Sequence, residues 1–386
     1  MAARFLIFFA VALLILGSSH YYVWARLVRD AALPSPWARL ATVTLGLLLL
    51  SVLSSFIVAR TVSRAYAAPV TWVGFSWLGT MFFLVLALGV SDLAKVIAIR
   101  GLSTPPTDPE RRQAIARLFG GVAALVGLGV SAGGMASALS QVSVRRVRVA
   151  IDRLGRLGRG RPGYRIVQIS DVHVGPTIGK DFIERIVARI NELKPDLVAI
   201  TGDLVDGSVA ELEEHVAPLA KLTARDGVFF VTGNHEYYSG ADEWIAHLRK
   251  LGVRVLRNEH VTIGGEDGFD LAGIDDASSH GNGHGPDLKK ALAGRDGDRA
   301  CVLLAHQPKG IELADALGVD LQLSGHTHGG QMIPWNFLVR LQQPFVAGLH
   351  KLLRVQIYVS RGTGYWGPPM RVGAPAEITE IELVSS

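Results

Sequence analysis

A single cysteine, Cys301, stands in 386 residues. One thiol excludes an intramolecular disulfide framework and a cysteine-rich zinc site. Cys301 lies within an apolar run, which marks it as a small core residue rather than a nucleophile. Charge is also scarce: Asp, Glu, Lys and Arg make up 19% of the chain, and the mean hydropathy is +0.30. Both values are unusual for a wholly water-soluble protein. The second half contains no Gly-x-Ser-x-Gly or Cys-x5-Arg pattern, so nothing there announces a covalent nucleophile. A Gly-x-x-x-x-Gly-Lys-Ser/Thr loop is missing too, which excludes an NTP-driven motor of the P-loop type.

What is present divides unevenly. The long uncharged runs fall before about residue 140, whereas the remainder has ordinary globular composition. Stretches at roughly 5–24, 40–58, 70–97 and 115–139 are each long enough to cross a bilayer, which takes about 20 apolar residues. The first runs on into Tyr21, Tyr22 and Trp24 and is followed by three more, so it reads as a retained anchor, not a cleaved signal. Tyr21, Tyr22, Trp24, Trp37 and Trp72 lie near the ends of these runs, as an interfacial aromatic belt would. The fourth is rich in Gly and Ala, which suits close helix packing in lipid. Asp92 and Lys95 read as an interfacial pair near the end of the third. The spacing predicts a transmembrane domain over 1–142, a basic linker over 143–163 and a catalytic domain over 164–386. The linker carries Arg145, Arg146, Arg148, Arg153, Arg156, Arg159 and Arg161, a charge suited to anionic headgroups. No aromatic interleaving accompanies it, so no nucleic-acid partner is expected. Loop arginines favour the cytoplasmic side for the second half.

In that second half, five apolar runs each stop at a residue able to bind a metal. They are followed by Asp171-Val172-His173, Gly202-Asp203, Gly233-Asn234-His235-Glu236, His306 and Gly325-His326-Thr327-His328. The runs read as buried strands over 164–170, 197–201, 228–232, 301–305 and 321–324, alternating with amphipathic helices near 180–193, 210–222 and 241–251. Ligands at the tips of several strands of one sheet converge on a point. The carboxylate, amide and imidazole set suits Mn, Fe, Zn or Mg. In Asp171-x-His173 and His326-x-His328 the partners are two residues apart, so on extended backbone both would leave one face. Asp203 has two oxygens and can bridge two cations.

In this order, the five blocks together with Asp206 resemble the calcineurin-like metallophosphoesterase superfamily over about 164–383. The tail from Gly362-Thr363-Gly364 through Pro375-Ala376-Glu377-Ile378 is similar to its membrane-associated bacterial branch. The resemblance implies a four-layer α/β/β/α sandwich following the four-helix transmembrane bundle. It implies two divalent cations, one on Asp171, His173, Asp203 and His328, the other on Asp203, Asn234, His306 and His326. His235 would then face the scissile phosphorus and Asp206 would orient it. The implied activity is metal-dependent phosphoester hydrolysis by a metal-bridging water or hydroxide, on a phosphodiester, phosphomonoester or pyrophosphate.

Four spans beside such a domain point to the bilayer as a partner and to a phosphorylated small molecule or lipid as substrate. The competing reading is a metal-binding membrane sensor or transporter-associated module without turnover. The segment 332–353 is apolar and basic and directly follows the last ligands. It reads either as a membrane-dipping or acyl-holding element or as a cap on the core.

Overall fold

In a computed structural model, residues 2–100, 108–154, 163–265, 268–279 and 283–385 are described. The chain divides into two units, Met1–Leu139 with Gly367–Met370, and Ser140–Trp366 with Arg371–Ser386.

The first unit contains α1 (Ala2–Trp24), α2 (Ser35–Thr61), α3 (Arg64–Arg100) and α4 (Pro109–Leu139). Each has a window long and apolar enough to cross a membrane. The buried positions of α4 are Gly120, Ala123, Gly127, Ser131, Gly134 and Ala138, a stripe recurring every three or four residues. Small side chains there let α3 approach: a Cβ on Gly127 would lie 3.1 Å from the Leu84 Cα. A Gly-x-Ser-x-Gly pattern does occur at 129–133, but inside α4, where the Ser131 hydroxyl donates back to the Gly127 carbonyl at 2.7 Å. That placement is unlike the exposed turn of a catalytic serine. Asp92 accepts from Tyr22, Arg26 and Lys95 at 2.7, 2.8 and 3.2 Å, so its charge is met within the helices.

The second unit is built on two six-stranded sheets. The first has the order β1-β12-β2-β3-β4-β5, from β1 (Ser143–Ile151), β2 (Tyr164–Ile169), β3 (Leu197–Thr201), β4 (Val228–Val231), β5 (Arg254–Val255) and β12 (Glu377–Ser385). The second has the order β10-β11-β9-β8-β7-β6, from β6 (Glu259–Ile263), β7 (Phe269–Gly273), β8 (Ala300–Leu304), β9 (Leu321–Ser324), β10 (Gly348–Leu352) and β11 (Val355–Val359). Side chains of both sheets, among them Ile166, Leu197, Phe229, Phe269, Val302 and Leu323, share one core. The outer face of the first sheet packs on α5 (Lys180–Glu192), α6 (Val209–Val216) and α8 (Ala241–Lys250). That of the second packs on α9 (Leu288–Ala291) and α10 (Ile311–Ala316). The result is the α/β/β/α sandwich expected from the sequence.

Strands buried on both faces read as unbroken apolar runs, which is why β2, β3, β4, β8 and β9 lie within a residue of their predicted limits. The stretch 143–151 is different: it forms β1 and pairs in parallel with β12, where the sequence predicted a linker. Its arginines hide an inward Val147, Val149, Ile151 alternation, and they suit an edge strand that must not recruit another chain. Arg156, Arg159 and Arg161 lie outside the described residues.

Candidate active site

The ligand candidates follow the C-terminal ends of β2, β3, β8 and β9, and the start of α7 (Asn234–Ser239), which follows β4. The ladder continues past the strands: Asp171 N–H donates to Gly202 O at 3.0 Å and His173 N–H to Asp203 O at 3.1 Å. This ties the first two blocks together. Asp171, His173, Asp203, His326 and His328 all have positive φ, between 51° and 70°. Non-glycine residues rarely adopt that region, and such strain gathers at functional sites. The extended geometry expected for the two Asp/His-x-His pairs is therefore wrong. Left-handed turns aim the side chains instead, and they send His326 and His328 to different partners.

Two clusters result, with a third grouping across them. In one, Asp171, His173 and His328 bring ligand atoms together; in the other, Asp203, His306 and His326 do so; the third, His173, Asp203 and His235, spans the two. His173 Nε2 lies 3.0 Å from His328 Nε2, which is itself 3.4 Å from Asp171 Oδ1. His306 Nε2 lies 3.1 Å from Asp203 Oδ2 and 3.2 Å from His326 Nδ1. Asp203 Oδ2 also lies 3.9 Å from His173 Nε2, so its carboxylate joins the clusters. Asn234 is buried, and its Oδ1 has no hydrogen-bond partner among the described residues.

The hydrogen bonds fix what each ring offers. His306 Nδ1 sits 2.8 Å from the Thr201 carbonyl, which can only accept, so Nδ1 carries the hydrogen and Nε2 faces Asp203, where a proton or a cation must lie between them. His173 Nδ1 likewise donates to Asp206 Oδ1 at 3.0 Å, leaving its Nε2 lone pair towards His328. Buried lone pairs at such separations repel unless a positive charge lies among them. Together with the orphaned Asn234 oxygen, this donor set fits divalent cations. The electrostatics agree. Burial opposes a charge on His306, yet Asp203 raises its affinity for a proton well above normal. Asp203, which burial would push up, is held well below the usual carboxylate range by His306. His326 is driven down to about 3 by burial and by the neighbouring His306.

His235 stands at the edge of these clusters, in the grouping with His173 and Asp203. Its backbone N–H donates to Asp203 Oδ1 at 2.9 Å and its Nδ1 to Asp206 Oδ1 at 2.6 Å. Burial lowers its proton affinity, but the Asp206 hydrogen bond and the Asp203 charge outweigh that and hold it at about 9. The exposed rings of Tyr238 and Trp366 stand 5.4 and 5.7 Å from the His235 ring. Asp206 thus serves two imidazoles through one oxygen, whereas the sequence assigned it only His235.

Several supporting roles escaped the sequence reading, which quoted Glu236, Gly202, Thr363 and Gly364 only as members of motifs. Glu236 is fully buried and accepts from the N–H groups of Asp203, Leu204 and Gly233 at 3.0, 2.7 and 2.6 Å. It fastens the turn that carries Asp203. Gly202 sits at φ +83°, and a Cβ there would lie 2.6 Å from Gly233 N and 2.7 Å from His306 Nδ1. Only glycine fits that crossing. The tail resemblance has a local basis: Thr363 and Gly364 donate backbone N–H to Ser170 O and Asp171 O at 2.8 and 3.0 Å. Arg371, also buried, donates to the carbonyls of His328, Arg361, Gly364 and Ala374. A lone arginine in a Gly/Pro-rich tail gave no sequence signal of that role.

The calcineurin-like phosphoesterase family profile matches residues 164–330. A "Transmembrane protein with metallophosphoesterase domain" from Danio rerio is 34% identical over 98% of this chain and 89% of its own length. The chain belongs to the calcineurin-like phosphoesterase family. A protein of the same description from Bos taurus is 39% identical over 78% of this chain and 70% of its own. An uncharacterized metallophosphoesterase of Campylobacter jejuni is 32% identical over 98% of each. As a calcineurin-like phosphoesterase, the chain is a metal-dependent phosphoric ester hydrolase. Its apolar helices and transmembrane relatives make it membrane-associated.

Proposed function

We propose that this phosphoesterase hydrolyses a phosphodiester, phosphomonoester or pyrophosphate bond in a substrate held at the membrane, using two divalent cations drawn from Mn, Zn, Fe or Mg. The observation that carries the reading is the shared Asp203 carboxylate, whose Oδ2 lies 3.1 Å from His306 and 3.9 Å from His173. Asp171, His173, Asp203 and His328 would hold one cation, and Asp203, Asn234, His306 and His326 the other. Cations bound there supply Lewis-acid activation of water and neutralise charge on the phosphoryl oxygens.

The protein groups do the rest. Asp206 Oδ1 keeps the His235 Nδ1–H in place, which fixes the ring and leaves Nε2 for the phosphoryl group. From there it donates a hydrogen bond to a charged oxygen, or a proton to the departing one. Burial of Asp171, His173, Asp203 and His306 removes competing water and strengthens each charge interaction. Tyr238 and Trp366 offer apolar walls for whatever the phosphate carries.

The experiment is hydrolysis by the purified full chain of a chromogenic phosphodiester, a phosphomonoester and a set of phosphorylated lipids. We expect turnover that a chelator removes and added cation restores, with a lipid-borne member preferred. Preference for the water-soluble compounds would remove the lipid part of the proposal. No turnover on any member by metal-replete protein would count against hydrolysis and favour a binding role. We also assign the catalytic unit to the cytoplasmic side, as the loop arginines favour. Protease added to sealed inside-out vesicles should then cleave it, and protection there would reverse the assignment.

A further inference from the structure

Between Asp320 and Glu377 the chain has no carboxylate side chain. Within that stretch lies α11 (Trp335–Val339), a short helix with no buried residue. Trp335, Phe337 and Leu338 on it, and Leu341 just beyond, are exposed by 50, 61, 49 and 80%. Phe345 and Leu352, later in the 332–353 segment, do pack against the outer core of the second sheet, but a helix that buries none of its large apolar side chains caps no core. Large apolar side chains exposed this closely in sequence mark an interaction site. Arg340, Lys351 and Arg354 lie in the same stretch, are exposed, and take part in no ion pair among the described residues. Their charges are therefore available to an anionic partner.

The segment is fastened at its base to the catalytic turn. Trp335 follows His328 by seven positions. Between them, Gln331 N–H donates to His328 O at 3.0 Å, and Trp335 N–H to Met332 O at 2.8 Å. The Gln331 side chain bonds the Trp366 backbone twice, at 2.9 and 3.0 Å, and Ile333 N–H donates to Val372 O at 3.0 Å. We infer that α11 and its flanks form an interfacial element that inserts its apolar side chains into an anionic lipid surface. Apolar aromatics with neighbouring basic groups are the composition that seats a segment at the headgroup boundary. A chain anchored by its own apolar helices meets that surface at high effective concentration. The inference goes beyond hydrolysis and holds whether or not the substrate is a lipid.

The test uses the full chain in nanodiscs, with a nitroxide on Phe337→Cys or Leu341→Cys and, as control, on Glu214→Cys of α6. Native Cys301 is buried and its thiol is pushed up to about 12 by burial, so it stays unlabelled. In discs of mixed phosphatidylcholine and phosphatidylglycerol, labels at 337 and 341 should be several-fold more accessible to oxygen than to a water-soluble nickel complex. The label at 214 should show the reverse. Adding Arg340→Glu with Arg354→Glu should bring the 337 and 341 ratios towards that of the control. Equal nickel access at 337, 341 and 214 would overturn the proposal. So would protection from both reagents with dipolar broadening between copies, which would make the occupant a second copy of this chain. All of these readings are independent of turnover, so they stand apart from the proposed hydrolysis.

Discussion

Asp203→Asn is expected to reduce turnover by at least ~10³-fold and to strip cations from the purified protein. The argument rests on burial and shared geometry. Asp203 is 2% exposed, and its Oδ2 faces imidazoles of both clusters. An amide keeps the shape and retains an oxygen for the His235 N–H, but removes the negative charge on which both cations would depend. Breaking a buried charge pair from one side costs about 3–5 kcal/mol. At about 1.4 kcal/mol per decade, that is roughly 10²–10⁴-fold in the affinity of each cation. Metal content by elemental analysis and phosphodiester turnover would be measured side by side, with a thermal melt as the folding control. A folded, metal-replete variant turning over at the wild-type rate would sink the assignment of Asp203.

The second large effect separates chemistry from metal binding. His235→Ala should lower kcat by about 10²–10⁴-fold, the usual contribution of a positioned acid or base, while leaving metal content unchanged. His235 contributes its backbone N–H to Asp203, and alanine keeps that bond. Asp206→Asn should behave differently. Its Oδ1 is the acceptor for both His235 and His173, so the change disturbs the proposed reacting imidazole and a candidate ligand imidazole together. The expected outcome is about a 10–100-fold loss, divided between metal affinity and kcat. If His235→Ala lost its cations, or Asp206→Asn affected kcat alone, the division of roles drawn here would be wrong.

The strands that could be read in advance share one property: burial on both faces. Leu197–Thr201 and Leu321–Ser324 have no exposed residue, so the apolar run and the strand coincide, and the ligand begins where the run stops. Strands with one wet face were harder. In β12 the alternating Glu377, Thr379, Ile381, Leu383 face mixes polar and apolar side chains, because Glu377 is buried to meet Tyr358 and Arg361. In β1 arginine obscured the pattern altogether. The candidate ligands could be named from the sequence, but not their aim. Side-chain direction at Asp171, His173, His326 and His328 is set by left-handed backbone, which residue identity does not encode. Arg371 and Trp366 reach the site from the tail by tertiary contact alone, whereas Tyr238 follows His235 by three positions on α7, a local spacing the motif did not single out.

The pairing of β1 with β12 also sets an order of assembly. β12 lies between β1 and β2, parallel to one and antiparallel to the other, yet it is synthesised after every other strand of either sheet. The Arg146–Glu380 ion pair across that seam spans 234 positions of sequence. Until β12 emerges, β1 has no neighbour and one flank of β2 stays open. Joining partners so distant in sequence is slow. The sandwich therefore waits for its last strand with the preceding apolar helices already made, and a nascent chain must keep two unpaired strand edges from meeting those of another molecule.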